Sequence, residues 1–133
     1  MKRTIYAAAL LAMGASLATP AFAQPAASQV CLQPIRFYSW KALDNQSVVV
    51  TDRLRHDYKL SLAPSCFNID YSLGLGIKSF STSQLSCIAR GDRVVVPRSA
   101  GMPRQTCVIE KVEAYTPDMA KADALAKAAK AQR

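Results

Sequence analysis

Four cysteines, Cys31, Cys66, Cys87 and Cys107, constrain this chain more than any other feature of its sequence. Their successive separations are 35, 21 and 20 positions, with no C-x-x-C pair, and the one histidine, His56, stands far from all of them. A structural zinc site draws on closely spaced ligands, so this pattern points away from metal. The cysteines are then thiols or disulfides, and the compartment decides which.

Residues 1–23 answer the question of compartment. Lys2 and Arg3 give a basic start, Ile5 to Leu17 is apolar apart from Gly14 and Ser16, and Pro20 precedes Ala21-Phe22-Ala23. This is the layout of a signal peptide cut after Ala23. A membrane anchor would need about 20 apolar residues, and this run is shorter and ends in small ones. Cys31 lies eight positions beyond the expected cut, so it is not the first residue of a mature lipoprotein. In an exported chain of this size an even number of cysteines is most simply a disulfide framework. The expected pairing is Cys66 with Cys87 and Cys31 with Cys107, the second tying the first strand to the last. Loop closure would make these worth roughly 3.4 and 4.5 kcal/mol as upper figures.

The chain has 133 residues, half of them apolar, which is room for one core and excludes a disordered polymer. Loss of Lys2 and Arg3 with the leader lowers its net charge from +8 to about +6. Residues 24–29 form a flexible leader, 30–116 a disulfide-stapled domain, and 117–133 an Ala/Lys-rich tail. No transmembrane span is expected once the signal peptide is removed.

Within the domain the pattern favours strands. Tyr58, Leu60 and Leu62 alternate with Asp57, Lys59 and Ser61, and Val48–Val50 and Val94–Val96 are β-branched runs. Turn residues separate them: Asp44-Asn45, Pro64-Ser65, Gly74 and Gly76, Gly91-Asp92, and Gly101 with Pro103. The fold expected is mainly β, a small antiparallel sheet or barrel. Two stretches depart from strand parity. Ile35, Tyr38 and Ala42 fit one helical face, which predicts a short N-terminal helix between Ile35 and Leu43, while Phe37 and Trp40 equally fit a strand. Cys107, Ile109, Val112 and Tyr115 do not keep an inward face, and a β-bulge near Glu110 or Lys111 would restore it. In the tail, Thr116-Pro117 suits an N-cap and first helical residue. Only Met119 and Leu125 would dock such a helix, so a solvated helical or disordered tail is expected rather than a membrane-surface helix.

The order of these features carries a resemblance. Trp40 to Val50, then Arg55-x-x-Tyr58-x-x-x-Leu62-x-x-x-Cys66, Cys87-x-x-x-Gly91-Asp92-x-Val94 and Cys107-x-Ile109-x-x-Val112, resembles the DUF6491 family of small exported bacterial proteins of unknown function. The resemblance covers most of residues 31–115. It implies an envelope location and a compact cysteine-containing domain, and it implies no activity. Gly91-Asp92, Tyr58 and Leu62 also have ordinary structural roles in a turn and a core.

Catalytic patterns are sparse. His56 and Asp57 are the one candidate pair for a small hydrolase, yet neighbouring strand residues point to opposite faces. Glu110 and Glu113 are three apart, and Asp52 and Asp57 sit among Arg53, Arg55 and Lys59, which favours ionised carboxylates. There is no G-x-S-x-G, P-loop or G-x-G-x-x-G. No catalytic residue, metal ligand or cofactor is assigned.

Charge is more informative. From Arg90 to Arg104 four arginines face one acid, Asp92, while Arg55, His56 and Lys59 mark another loop. Arg55, His56, Arg93, Arg98 and Arg104 are therefore the candidate anion-binding residues, provided their loops meet at one end of the sheet. Tyr58, Phe37, Tyr38 and Trp40 would add stacking. The expected function is that of a non-catalytic envelope binding or interaction module with a protein partner. The alternative is a polyanion-binding module for envelope phosphate or carboxylate groups or nucleic acid.

Overall fold

The structure, a computed structural model, describes residues 30–98, 101 and 103–133. The signal peptide and leader expected at 1–23 and 24–29 lie outside the described residues. Six strands follow in order: β1 Phe37–Asp44, β2 Ser47–Asp52, β3 Asp57–Ala63, β4 Gly76–Lys78, β5 Arg93–Val96 and β6 Gln105–Ala114. One helix, α1 Pro117–Ala131, closes the chain. The strands pair antiparallel in the order β1-β2-β3-β6-β5-β4. They curl into a half-barrel with β1 and β4 as open edges. Of the two expected architectures, the sheet is the one formed.

One face of the curl holds the core. Val48 and Val50 of β2, Leu60 and Leu62 of β3, Val94 and Val96 of β5, and Cys107 and Ile109 of β6 are buried there with Leu32, Cys66, Ile69 and Ile88. These strand residues are the inward set expected of a two-residue repeat.

The N-terminal helix does not form. Among the described residues only a 3-10 turn at Pro34–Arg36 precedes β1, and Phe37–Asp44 is strand. Of the positions that suggested a helical face, Ile35 and Tyr38 are exposed and Ala42 alone packs on the core, together with the strand candidates Phe37 and Trp40. Phe37 pairs with Asp52 and Ser39 with Thr51, so β1 advances two residues while β2 advances one. This bulge at Tyr38 shifts the parity and lets Phe37, Trp40 and Ala42 all pack on the core. The three-residue step from Phe37 to Trp40 is thus that of a strand with one extra residue.

The other irregular stretch is as expected. Ser61 pairs with Lys111 and Leu62 with Ile109, which leaves Glu110 as the extra residue of a bulge in β6. Val112 returns to the core side as a consequence.

Both disulfides form, but with different partners from those expected. Cys31 joins Cys87, and Cys66 joins Cys107. The connection after β3 explains this. It leaves the β3 end near the β1–β2 turn, where the Cys66 N–H donates to the Asn45 carbonyl at 2.6 Å, and crosses toward β1 through a 3-10 turn at Ile69–Tyr71. Cys66 therefore lies over β6, whereas Cys87 returns beside the N-terminal segment, with the Ile88 N–H donating to the Leu32 carbonyl at 2.7 Å.

The tail is a helix of 15 residues starting as its sequence suggests, with Thr116 capping the Met119 N–H and Pro117 first. No α1 side chain is buried. A polar contact fixes it instead: Lys59, on the outer face of β3, donates to both Asp123 oxygens at 2.9 Å. A groove of about 470 Å³ remains between α1 and Ala42, Leu43 and Val49.

Candidate functional site

The β2–β3 hairpin is organised by one carboxylate. Asp52 is only 2% exposed. Its Oδ1 accepts the Leu54 and His56 N–H groups at 2.8 and 2.9 Å, and its Oδ2 takes the Tyr58 hydroxyl at 3.4 Å and lies 3.3 Å from His56 Nδ1. Burial pushes its pKa up, but the His56 backbone and side chain and the Leu54 N–H outweigh that and hold it below the ordinary 3.8. Arg55, at the tip, is in the left-handed region with φ 68°. Burial and the Asp52 charge push the Tyr58 phenol up. Burial and Asp123 do the same to Tyr115.

This hairpin and the start of α1 enclose a cleft of about 620 Å³, lined by Arg55, His56, Asp57, Tyr58, Tyr115 and Thr116 among others. Two of the expected anion-binding residues therefore share a concavity. The histidine partner is Asp52 rather than Asp57, because Asp57 turns away to accept the Thr51 hydroxyl at 2.6 Å. Among the described residues no hydroxyl or thiol hydrogen-bonds the His56 ring.

The expected basic residues do not form one patch. Arg55 and His56 lie beyond the Ala114 end of β6, whereas Arg98 and Arg104 lie in the loop before its Gln105 end. The ten-residue strand between them is roughly 30 Å long. Arg93 starts β5 and its guanidinium sits 5.4 Å from the Phe80 ring centre. Arg55 is 4.9 Å from the Tyr38 ring centre. Phe37, Trp40 and Tyr58 are packed against the core, and this leaves Tyr38 as the exposed member of the stacking set. Among the described residues no three His, Cys, Asp or Glu side chains come together.

Two features go beyond the sequence reading. Asp92, read as a turn residue, is buried and spans separate segments: it accepts the Phe80 and Ala89 N–H groups at 2.9 and 3.0 Å and the Ser79 hydroxyl at 3.1 Å. It follows Gly91, whose φ of 97° suits glycine. The second is the segment between Cys66 and Cys87, where Phe67, Tyr71, Leu73, Phe80 and Leu85 stand exposed. The signal for it was present in the sequence, as large apolar residues between two cysteines without strand parity.

No curated protein matches the chain, and no solved structure does. The model of a family of unknown function, DUF6491, matches residues 1–133. With that match spanning the curled sheet, both disulfides and the hairpin cleft, the chain belongs to the DUF6491 family.

Proposed function

We propose that the chain is a small binding module of an oxidising extracytoplasmic compartment, periplasmic or secreted, whose contact surface is the segment between Cys66 and Cys87. One observation carries this reading. The segment is held at its two ends by different disulfides, to Cys107 in β6 and to Cys31, yet keeps five large apolar side chains in water. Large apolar side chains held exposed along one segment are what an interaction site presents to a partner. Anchored ends lower the ordering cost of using them. The bridges and the signal-peptide pattern of residues 1–23 support the compartment.

A photoreactive residue in place of Leu73, compared with one in place of Leu125 on exposed α1, tests the surface. Adducts are expected from position 73 and not from position 125. Equal yields at both, or none at 73, would reject the reading.

A second reading, anion binding, is favoured by Arg55 and His56 sharing the hairpin cleft, although Asp57 in the same wall opposes it. It expects phosphate affinity that weakens with salt and falls on Arg55→Ala, with Arg98→Ala silent. Salt-independent binding would reject it.

A further inference from the structure

The two disulfides sit in different surroundings. Cys66 and Cys107 are 0% and 3% exposed and belong to the core, whereas Cys31 and Cys87 are both exposed. On each side of the outer bridge the chain turns its next residue inward: Leu32 and Ile88 are buried. The Ile88 N–H donates to the Leu32 carbonyl at 2.7 Å, and the Gln33 side-chain amide donates to the Leu85 carbonyl at 2.8 Å. Leu32 and Ile88 therefore close the core at this point, and the Cys31–Cys87 cystine lies outside the closure.

Access to it is built in. Cys31 lines the cleft of about 620 Å³ between the β2–β3 hairpin and the start of α1. Thiol–disulfide exchange needs a thiolate to reach a bridge sulfur, and exposed bridges are the ones that exchange. Reaching Cys107 requires the sheet to open at β6, while reaching Cys31 does not. What the outer bridge holds is also local. β4 pairs with β5, and Asp92 secures Ser79 and Phe80. Between Phe80 and Cys87 no residue belongs to a strand or helix.

We propose that Cys31–Cys87 is a thiol-exchange site, open to a protein dithiol in the folded chain while Cys66–Cys107 stays closed. A thiolate of the dithiol attacks Cys31 Sγ and forms a mixed disulfide; the Cys31–Cys87 bond breaks, its electron pair goes to Cys87, and Cys87 takes up a proton. The second thiol of the dithiol gives up its proton and attacks the dithiol's own sulfur in the mixed disulfide, and Cys31 leaves and is protonated. The dithiol departs as a disulfide, oxidised by two electrons, and the chain gains two thiols. Leu85 and the N-terminal segment lose their covalent tie while the sheet keeps Cys66–Cys107. The exchange site stands whether or not the Cys66–Cys87 segment is a contact surface.

Reduced thioredoxin, recycled by its reductase with NADPH, serves as the dithiol probe for the oxidised full chain without denaturant. One NADPH per chain is expected to be consumed in a first phase, one two-electron couple's worth. Alkylation and peptide mapping should then find Cys31 and Cys87 modified and the Cys66–Cys107 peptide intact. In dithiothreitol alone the outer bridge should open about a hundred-fold faster than the inner one. The Ile88 amide should exchange faster after this step, with the β2, β3 and β6 amides still protected. Two NADPH consumed in a single phase, no consumption, or reduction of Cys66–Cys107 first would overturn the proposal. So would loss of the β-sheet circular dichroism when the outer bridge opens, since Cys31–Cys87 would then be a staple of the whole fold.

Discussion

Asp52 and Asp92 are the residues on which the loops depend, since each is a buried carboxylate taking backbone N–H groups from positions the strands do not reach. A buried acceptor lost from such a site costs about 1–3 kcal/mol, and Asp52→Asn is expected to fall in that range. The pH dependence follows from the direction of the shifts. Asp52 titrates below 3.8 in the folded chain, so its contribution is whole above that value and is lost as pH falls beneath it. Tyr58 and Tyr115 titrate above 10.0, so theirs is whole below that value and is lost as pH rises past it. Urea unfolding across pH should show stability falling at both ends. Asp52→Asn should flatten the acid limb and Tyr58→Phe the alkaline one; limbs unmoved by these variants would contradict the assignment. Neither aspartate role was legible from sequence: the partners of Asp52 are local, but its burial appears only once the hairpin packs, and Asp92 reaches Ser79 and Phe80 in a segment apart from its own turn. The Gly91-Asp92 turn was legible, because a left-handed glycine is a local requirement.

At the level of elements, the valine runs and the Tyr58–Leu62 alternation became strands in the expected places. The Glu110 bulge was also foreseeable, because Cys107, Ile109 and Val112 need the core and a regular strand cannot give it to all three. The same logic applies to β1, where the spacing of Ile35, Tyr38 and Ala42 outweighed the strand positions Phe37 and Trp40. Phe37 and Trp40 are three apart, a spacing shared by helices and bulged strands, and only pairing with β2 distinguishes them. The C-terminal helix rests on capping and on Lys59 with Asp123, a half-buried pair. Lys59→Ala should therefore speed amide exchange throughout Pro117–Ala131 while the β2, β3 and β6 amides keep their protection. Global stability should drop by about 1 kcal/mol or less. Slowed or unchanged helix exchange would show that α1 is held by something else.

For the molecule as a whole, the number of cysteines and their oxidised state could be read from the chain, and their pairing could not. Pairing depends on the excursion after β3, which carries Cys66 over β6 and returns Cys87 to the N-terminal segment. Similarly, basic residues counted along the sequence seemed to gather, while the antiparallel order of β3, β6 and β5 sends them to opposite ends. Non-reducing peptide mapping should recover Cys31–Cys87 and Cys66–Cys107. The bridges span 56 and 41 positions, and loop closure makes each worth roughly 4 kcal/mol as an upper figure. A Cys66–Cys87 peptide would overturn this topology.

The two bridges interlace, since Cys66 falls inside the loop closed by Cys31 and Cys87, and Cys87 inside the loop closed by Cys66 and Cys107. Every peptide bond between Cys31 and Cys107 is therefore spanned by at least one bridge, and every bond between Cys66 and Cys87 by both. A protease that clips the exposed apolar segment would produce two polypeptides but still one molecule, migrating as a single species until reduced. This exposed segment is one whose severed ends stay doubly joined.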